Sequence, residues 1–194
     1  MGTDARSYRR HSDQTRDRLL TAGLDLLINN GYHGATTREI AMGAGVTEVT
    51  MYRHFSSKEE LFVAAITKLT QRLLDLVPKP SGDIEADLLL VATALQKHFF
   101  SAPSSLVHST PELKGHPKLR NAFDNMVHQF KVKVLALIHY YQGTGEMIQE
   151  NDDTIFSAFV GPVYFSSLGF DCADGLDCRR YVRLFLQGYQ PEDK

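Results

Sequence analysis

The sequence predicts an all-α protein. Apolar residues recur every three or four positions along nearly all of its 194 residues, which is the period of an amphipathic helix. One segment that could be read as a strand, 163–170, has no convincing strand partner. Hydrophobic residues make up 43% of the chain and charged residues 23%, a balance typical of a globular protein with a buried core.

The first predicted helix has one apolar face and a defined start and end. Asp13 or Thr15 is placed to cap its start, and Asn30–Gly31 ends it because glycine tolerates positive φ. Residues 1–12 are predicted to be a flexible basic arm. The residues of the apolar face are Leu19, Ala22, Gly23, Leu26 and Leu27.

Two short helices are predicted next. Thr37 is predicted to be the N-cap of the first, and Gly43 and Gly45 break it. Thr47 opens the second, which continues through Tyr52.

A longer fourth helix is predicted after a cap at Ser56 or Ser57, and two prolines end it. These prolines and a glycine make residues 79–82 the best candidate linker. The sequence is therefore divided into a front domain, 13–77, and a back domain, 83–190.

The back domain is predicted to begin with a helix directly after the linker. A long helix from Leu119 to Tyr141 follows, and then a final pair at about Asp152–Leu168 and Cys178–Gly188. Of the 19 Phe and Tyr residues, 14 lie from Phe99 onward. Rings at helical spacing fill a core or line an apolar pocket, and the sequence leaves both possibilities open.

Composition excludes several protein classes. The net charge of −2 argues against a uniformly basic nucleic-acid-binding surface, and no apolar run approaches the roughly 20 residues that cross a bilayer. The polar N-terminus lacks the apolar core of a secretory signal. Cys172 and Cys178 are too few for a disulfide scaffold, and their spacing fits no common zinc pattern. We therefore expect a cytoplasmic protein with no membrane association and no metal or cofactor.

Charge is distributed unevenly along the chain. From Arg6 to Lys58 there are eight basic and five acidic residues, whereas residues 134–178 contain seven acids and no Lys or Arg. Two differently solvated surfaces explain this pattern, and so does a front domain that alone approaches a polyanion.

The most informative segment runs from Thr36 to Phe55 and reads TTREIAMGAGVTEVTMYRHF. Two short helices joined by a tight glycine turn are typical of a helix-turn-helix, whose second helix fits a major groove about 12 Å wide. Small residues near the turn let the helices cross closely. Ile40, Val46 and Met51 are predicted to bury the rear of the pair.

In residues 13–74 the sequence resembles the TetR family of transcriptional regulators. The matching residues are Gly31-Tyr32, 36–41 (TTREIA), 44–47 (AGVT), 51–55 (MYRHF) and 57–61 (SKEEL). The resemblance implies a homodimer that binds palindromic double-stranded operator DNA. It also implies that the last two long helices form the dimer interface and that the back domain holds a small-molecule effector.

We therefore hypothesise an effector-released repressor. A constitutive DNA-binding protein without an effector is one alternative, and an all-α enzyme with a degenerate helix-turn-helix is another. The sequence contains no Gly-x-Ser-x-Gly segment and no His-Glu-x-x-His segment, so we expect no enzymatic activity.

Ten residues are candidate DNA contacts. Tyr52 and His54 resemble the family's phosphate-contacting pair, and Lys58 resembles its lysine at the start of the fourth helix. Structural alternatives stay open: capping for Thr37 and Thr47, packing for Tyr52, and a bonded helix-end position for His54. The full set is Thr37, Arg38, Thr47, Glu48, Val49, Thr50, Tyr52, Arg53, His54 and Lys58.

Glu48 departs from the family pattern, in which a basic or small residue is common at this position. A carboxylate repels phosphates but accepts a hydrogen bond from cytosine N4, so Glu48 is expected to favour selected sequences. In the arm, Arg6, Arg9 and Arg10 either contact the minor groove or backbone, or are merely solvated.

The back domain offers candidates for the other two implied functions. Small residues at Ser157, Ala158 and Gly161 permit close approach of helices in a dimer. The candidate effector-pocket residues also fit a plain core, and they are His98, Phe99, Met126, Phe130, Phe159 and Tyr164.

Overall fold

The structure, a computed structural model, describes residues 3–100, 115–166 and 175–191, with side chains from residue 7 to 97 in the first range. These residues form eight helices and no strand, which confirms the all-α prediction. The helices are α1 Thr3–Gly34, α2 Thr37–Gly43, α3 Glu48–His54, α4 Lys58–Asp75, α5 Ile84–Phe100, α6 Pro117–Thr144, α7 Asp152–Ser166 and α8 Cys178–Tyr189. None of the helices in these three ranges combines the length and apolar content that a membrane span requires.

Helix α1 begins earlier than the sequence analysis predicts. Asp13 and Thr15 lie inside the helix rather than at its cap, so that prediction was wrong, and residues 3–12 of the predicted arm are helical. Residues 4–14 contain neither Gly nor Pro and include Ala, Arg and Gln residues of good helix propensity, which lets the helix extend. At the other end, Gly31 has φ of 70° and interrupts the helical backbone, as predicted.

The described residues divide into two compact units. Residues 3–69 and 115–125 form the first unit, and residues 70–100, 126–166 and 175–191 form the second. The first unit therefore contains α1–α3, most of α4 and the beginning of α6, and its limit at Leu69 differs from the predicted linker at 79–82.

The core of the first unit lies between α1 and α4 and beneath α2 and α3. Gly23 allows a close approach, because a Cβ at this position would overlap Cδ2 of the fully buried Leu61. Burial of side chains of this size contributes roughly 1.5–3 kcal/mol each. The largest fully buried residues here are Leu19, Leu27, Ile40, Met51, Phe55, Leu61 and Phe62.

The second unit encloses a buried polar cluster next to the predicted linker. The Tyr141 hydroxyl donates to Asp87 Oδ2 at 2.6 Å, and the Ser81 N–H and hydroxyl both donate to the same carboxylate at 2.8 Å. Only 5% of Asp87 and none of Tyr141 is exposed. Burial, followed by the adjacent Asp87, raises the pKa of Tyr141 to about 12. The cluster therefore fastens residues 81–82 to α5 and α6.

A second polar contact in this unit compensates for a proline within α7. Pro162 has no N–H, so it cannot donate to the carbonyl of Ala158 four residues earlier. The Tyr181 hydroxyl of α8 lies 2.6 Å from that carbonyl oxygen and 2.7 Å from that of Phe159. Burial, then Tyr189 and Cys178, raises the pKa of this hydroxyl, which stays protonated and able to donate. The apolar segment from Val163 is helical to Ser166.

Candidate nucleic-acid interface

The start of α2 is fixed by a reciprocal pair of hydrogen bonds. Thr36 is the N-cap, its hydroxyl accepts from the Glu39 N–H at 3.2 Å, and its own N–H donates to Glu39 Oε2 at 3.0 Å. Hydrogen bonds from the Thr36 hydroxyl and backbone lower the pKa of Glu39. The prediction that Thr37 is the cap was therefore wrong by one residue. Thr37 competes poorly for that position because Glu39 completes a capping box only with Thr36.

The turn between α2 and α3 depends on backbone geometry and small residues. Gly45 has φ of 66°, a region that residues with a Cβ avoid. The N–H of Val46 donates to the Ala41 carbonyl at 2.9 Å, which closes the turn. On the rear, Ile40 and Met51 are fully buried as predicted, whereas Val46 is only half-buried.

The first turn of α3 is capped by Thr47. Its hydroxyl accepts from the Thr50 N–H at 3.2 Å and lies 3.1 Å from the Thr50 hydroxyl. The capping alternative considered for Thr47 is therefore confirmed. Both threonine hydroxyls remain at the edge of α3, and each has further hydrogen-bonding capacity.

The outward face of α3 combines apolar and polar groups. Val49 is 65% exposed and Tyr52 is 51% exposed, although α3 also buries Met51 on its other side. Arg38, Thr47, Glu48 and Arg53 are exposed as well. The remaining predicted contacts, half-buried at the margins of this face, are Thr37, Thr50, His54 and Lys58.

Glu48 has a partner within the motif. The Thr37 hydroxyl donates to Glu48 Oε1 at 2.6 Å, which connects the first turn of α2 to the first turn of α3. This bond uses the hydroxyl hydrogen of Thr37 and orients the carboxylate, whose other oxygen stays available to accept. The structure thus brings these two predicted DNA contacts together.

The exit of α3 is held against α1 by Arg16. Its guanidinium donates to the His54 carbonyl at 3.2 Å and lies 4.3 Å from the centre of the Phe55 ring, as in a cation–π contact. Phe55 is only 1% exposed, so it anchors the exit of α3 in the core. The His54 imidazole is not used by this bond.

Lys58 is partly engaged within the fold. Its ammonium donates to the Tyr32 carbonyl at 2.7 Å and to the Ala35 carbonyl at 3.0 Å, and lies 4.3 Å from the centre of the Tyr32 ring. Burial lowers the pKa of Lys58. An ammonium has three donors, so one remains after the two carbonyl contacts.

Several residues of this surface were missed in the sequence analysis. The pattern Thr36-x-x-Glu39 indicates a capping box and would have predicted Thr36 as the N-cap of α2. Arg16 carries no such local signal, because its partner His54 lies 38 residues away. Tyr8, His11, Ser12 and Thr15 also lie beside α3. The first three fall in the predicted arm, 1–12, and Thr15 was predicted only as a cap.

Residues 19–65 match the sequence family of bacterial regulatory proteins called the tetR family. Residues 19–65 therefore form a helix-turn-helix domain of the TetR family. The matched residues cover the second half of α1, all of α2 and α3, and the beginning of α4. The family consists of bacterial regulatory proteins, which is consistent with the expectation of a regulator rather than an enzyme.

Two curated relatives each match less than half of this chain. The uncharacterized HTH-type transcriptional regulator YvkB of Bacillus subtilis is 36% identical over 81 residues, which cover 42% of this chain and 43% of YvkB. The HTH-type transcriptional activator FasR of Mycolicibacterium smegmatis is 38% identical over 73 residues, which cover 38% of this chain and 33% of FasR. The matches therefore span less than half the length of these relatives.

The fold resembles solved regulators over nearly its whole length. A transcriptional regulator from Saccharomonospora viridis, solved in complex with choline, superposes with a TM-score of 0.71 at 18% identity. The superposition covers 92% of this chain and 99% of that chain. This similarity supports the predicted two-part TetR-like architecture.

The predicted effector-pocket residues differ in exposure. Phe159 is fully buried and packs against Phe185, with ring centres 5.1 Å apart. Met126 and Phe130 are 7% and 8% exposed, respectively, and Tyr164 is half-buried, with its pKa raised by burial. The side chains of the other two predicted residues, His98 and Phe99, lie outside the described residues.

Metal ligands do not cluster in the part of the chain that the structure describes. There, no group of three or more His, Cys, Asp or Glu side chains is arranged to hold an ion. Cys178 is buried and its thiol donates to Gln96 Oε1 at 3.1 Å.

Proposed function

We propose that this TetR-family chain binds double-stranded operator DNA through α3 and represses transcription until a small-molecule effector releases it. The observation that carries the proposal is the difference in exposure between the two faces of α3. Met51 fixes its rear in the core, while Val49 and Tyr52 keep more than half of their surface exposed. Exposed apolar groups on a short, rigidly held helix suit a contact with base edges and thymine methyl groups.

Some residues around α3 would contact base edges and others would contact phosphates. Val49 and Thr50 would contact base edges, and Glu48, oriented by Thr37, would accept from cytosine N4. Phosphate contacts would come from the predicted cationic and polar residues at the margins, which fix register but carry no base information. These residues are Arg38, Tyr52, Arg53, His54 and Lys58.

We further propose a homodimer formed by α7 and α8. Ser157, Ala158 and Gly161 would allow close helix approach, and Phe165 and Leu184 are 60% and 57% exposed on the two helices. A two-fold symmetric dimer would place its recognition helices about 34–36 Å apart, so that they enter successive major grooves of a palindromic site. Action on DNA also implies a cytoplasmic location.

An effector would act by stabilising a conformation whose recognition helices no longer match that spacing. The proposed pocket lies in the second unit and includes Met126, Phe130, Phe159 and Tyr164, together with His98 and Phe99. Support comes from the similarly folded regulator that was solved with choline. A ligand shifts this equilibrium only by its difference in affinity for the two conformations, typically about 1–3 kcal/mol.

A role as an activator is the second candidate. FasR, which resembles this chain over 73 residues, is an activator by description. Because α3 would bind the same kind of site in either role, the position of the site relative to the promoter decides between them.

In vitro selection of duplexes from a random pool tests the proposal directly. We expect enrichment of a palindrome with half-sites about one helical turn apart, and loss of binding when metabolite extract contains the effector. A reporter carrying the selected site then distinguishes repression from activation.

Matched variants show whether α3 makes the contact. The Val49→Ala and Thr50→Ala variants should alter the selected half-site, whereas Val132→Ala, an exposed change on α6, should leave it unchanged. Enrichment of no duplex, or the same consensus from all three variants, would contradict the proposal.

A further inference from the structure

A polar cleft lies between the N-terminal turns of α1 and the end of α3. It has a volume of about 300 Å³. Three of its residues, Thr50, Arg53 and His54, belong to the predicted DNA-binding set, and four come from α1. The α1 residues are Tyr8, His11, Ser12 and Thr15.

The chemistry of the cleft favours an anion. One guanidinium, two imidazoles and three aliphatic hydroxyls can donate hydrogen bonds into it, and none of its seven lining residues is a carboxylate. Of the α1 acids next to the lining residues in sequence, Asp13 is exposed and Asp17 is paired with Lys68 at 2.9 Å. Tyr8 is 78% exposed, so the site is reached from solvent.

The position of the cleft connects it with the recognition helix. Thr50 and Arg53 lie one turn apart on α3, so they span from the base-reading face to the cleft. Arg16 holds the end of α3 to α1 through the His54 carbonyl, which keeps both walls together. A group bound in the cleft would therefore lie directly beside DNA bound at α3.

We propose that this cleft binds a backbone phosphate of the operator duplex, with His11 and Ser12 of α1 completing a site that Arg53 and His54 begin. The inference rests on the proposed DNA-binding function and extends it. The first turns of α1 become a fixed part of the interface rather than a mobile arm. Because the ligand is a phosphodiester, the contact adds affinity for every sequence and no base preference.

The test compares His11→Ala and Ser12→Ala with Gln14→Ala, an exposed α1 residue that does not line the cleft. Fluorescence anisotropy gives the affinity for the selected operator and for an unrelated duplex across a salt series. His11→Ala should weaken the binding of both duplexes about three- to tenfold, as expected for the loss of one hydrogen bond to a phosphate. Ser12→Ala should weaken both about threefold.

Controls separate this inference from the function on which it rests. Circular dichroism confirms that each variant keeps its helix content. If the unmodified chain binds DNA and His11→Ala matches Gln14→Ala, the phosphate site is disproved while DNA binding stands. If the unmodified chain binds no duplex, both proposals are overturned.

A second arm distinguishes free phosphate from DNA. The imidazole NMR signals of His11 and His54 are followed while either duplex or inorganic phosphate is added. Saturable shifts with the duplex support the proposal. Saturable shifts with inorganic phosphate alone would overturn the assignment to DNA.

Discussion

Polar groups serve opposite purposes in the two units of this protein. In the helix-turn-helix they lie at the surface and pair with close neighbours, as Thr36 does with Glu39 and Thr47 with Thr50. In the second unit they are buried and pair across the chain, as Tyr141 does with Asp87, 54 residues away. The difference teaches that local bonds shape the helix caps of the proposed reading surface, whereas a buried long-range bond joins α5 to α6 in the second unit.

The largest expected loss of stability comes from the buried polar cluster of the second unit. Asp87→Ala removes the acceptor for three donors from Ser81 and Tyr141, of which the Tyr141 hydroxyl is fully buried. We expect a loss of about 2–4 kcal/mol in the free energy of unfolding. Urea denaturation followed by circular dichroism measures it.

A matched surface acid provides the control for this prediction. Asp124 lies in an exposed pair with Arg120 on α6, and Asp124→Ala should cost less than about 1 kcal/mol. Equal losses for the two variants would show that the buried cluster contributes no more than a surface ion pair.

The second prediction concerns how much the stability of the first unit depends on long-range packing. Gly23→Ala would force Leu61, which is fully buried, out of its position. We expect a net loss of about 1–3 kcal/mol from overpacking, even though alanine favours helices. Thermal unfolding measures this loss. Gly143→Ala in α6, where a Cβ meets nothing within 4 Å, should be neutral or stabilising; equal melting temperatures would refute the packing argument.

The same contrast explains how far the sequence predicted the structure. The caps and turn of the motif were largely predictable because Thr47, Gly45 and the buried Ile40 are specified by residues within one or two turns. The start of α1 was not predicted correctly, because Asp13 and Thr15 resemble helix caps although helix propensity continues through them toward the N-terminus.

Long-range partners carried no sequence signal. Nothing near Arg16 in the sequence indicates that it bonds to the His54 carbonyl, and nothing near Asp87 indicates that it bonds to Tyr141. The sequence therefore predicted which residues belong to the candidate site. It did not predict the Thr37–Glu48 bond or the part of the cleft formed by α1, which only the structure shows.

A third prediction concerns a residue that serves both structure and proposed function. Lys58→Met keeps the aliphatic stem but leaves the carbonyls of Tyr32 and Ala35 without their donor. We expect a loss of about 1–2 kcal/mol in urea denaturation, and a DNA-binding salt slope lower by about one if the third donor reaches a phosphate.

Lys68→Met on the same helix is the control, since Lys68 forms only a surface pair with Asp17. It should change stability by less than about 1 kcal/mol. An unchanged salt slope for Lys58→Met, measured beside this control, would remove Lys58 from the phosphate contacts and leave it a purely structural role.

The smallest effect in stability is expected where the surface bond of the motif is cut. Thr37→Val removes the hydroxyl that donates to Glu48, and Glu48→Gln removes the charge of the acceptor. Because both groups are near solvent, each variant should cost only about 0.5 kcal/mol in unfolding free energy. Selection from a random pool should nevertheless show a changed base preference for both, since a released or neutral side chain no longer presents an oriented carboxylate to cytosine. The double variant shows whether Thr37 acts through Glu48. If the two changes in base preference add, Thr37 and Glu48 act independently. If the double variant has the same preference as Glu48→Gln, Thr37 acts by orienting the carboxylate.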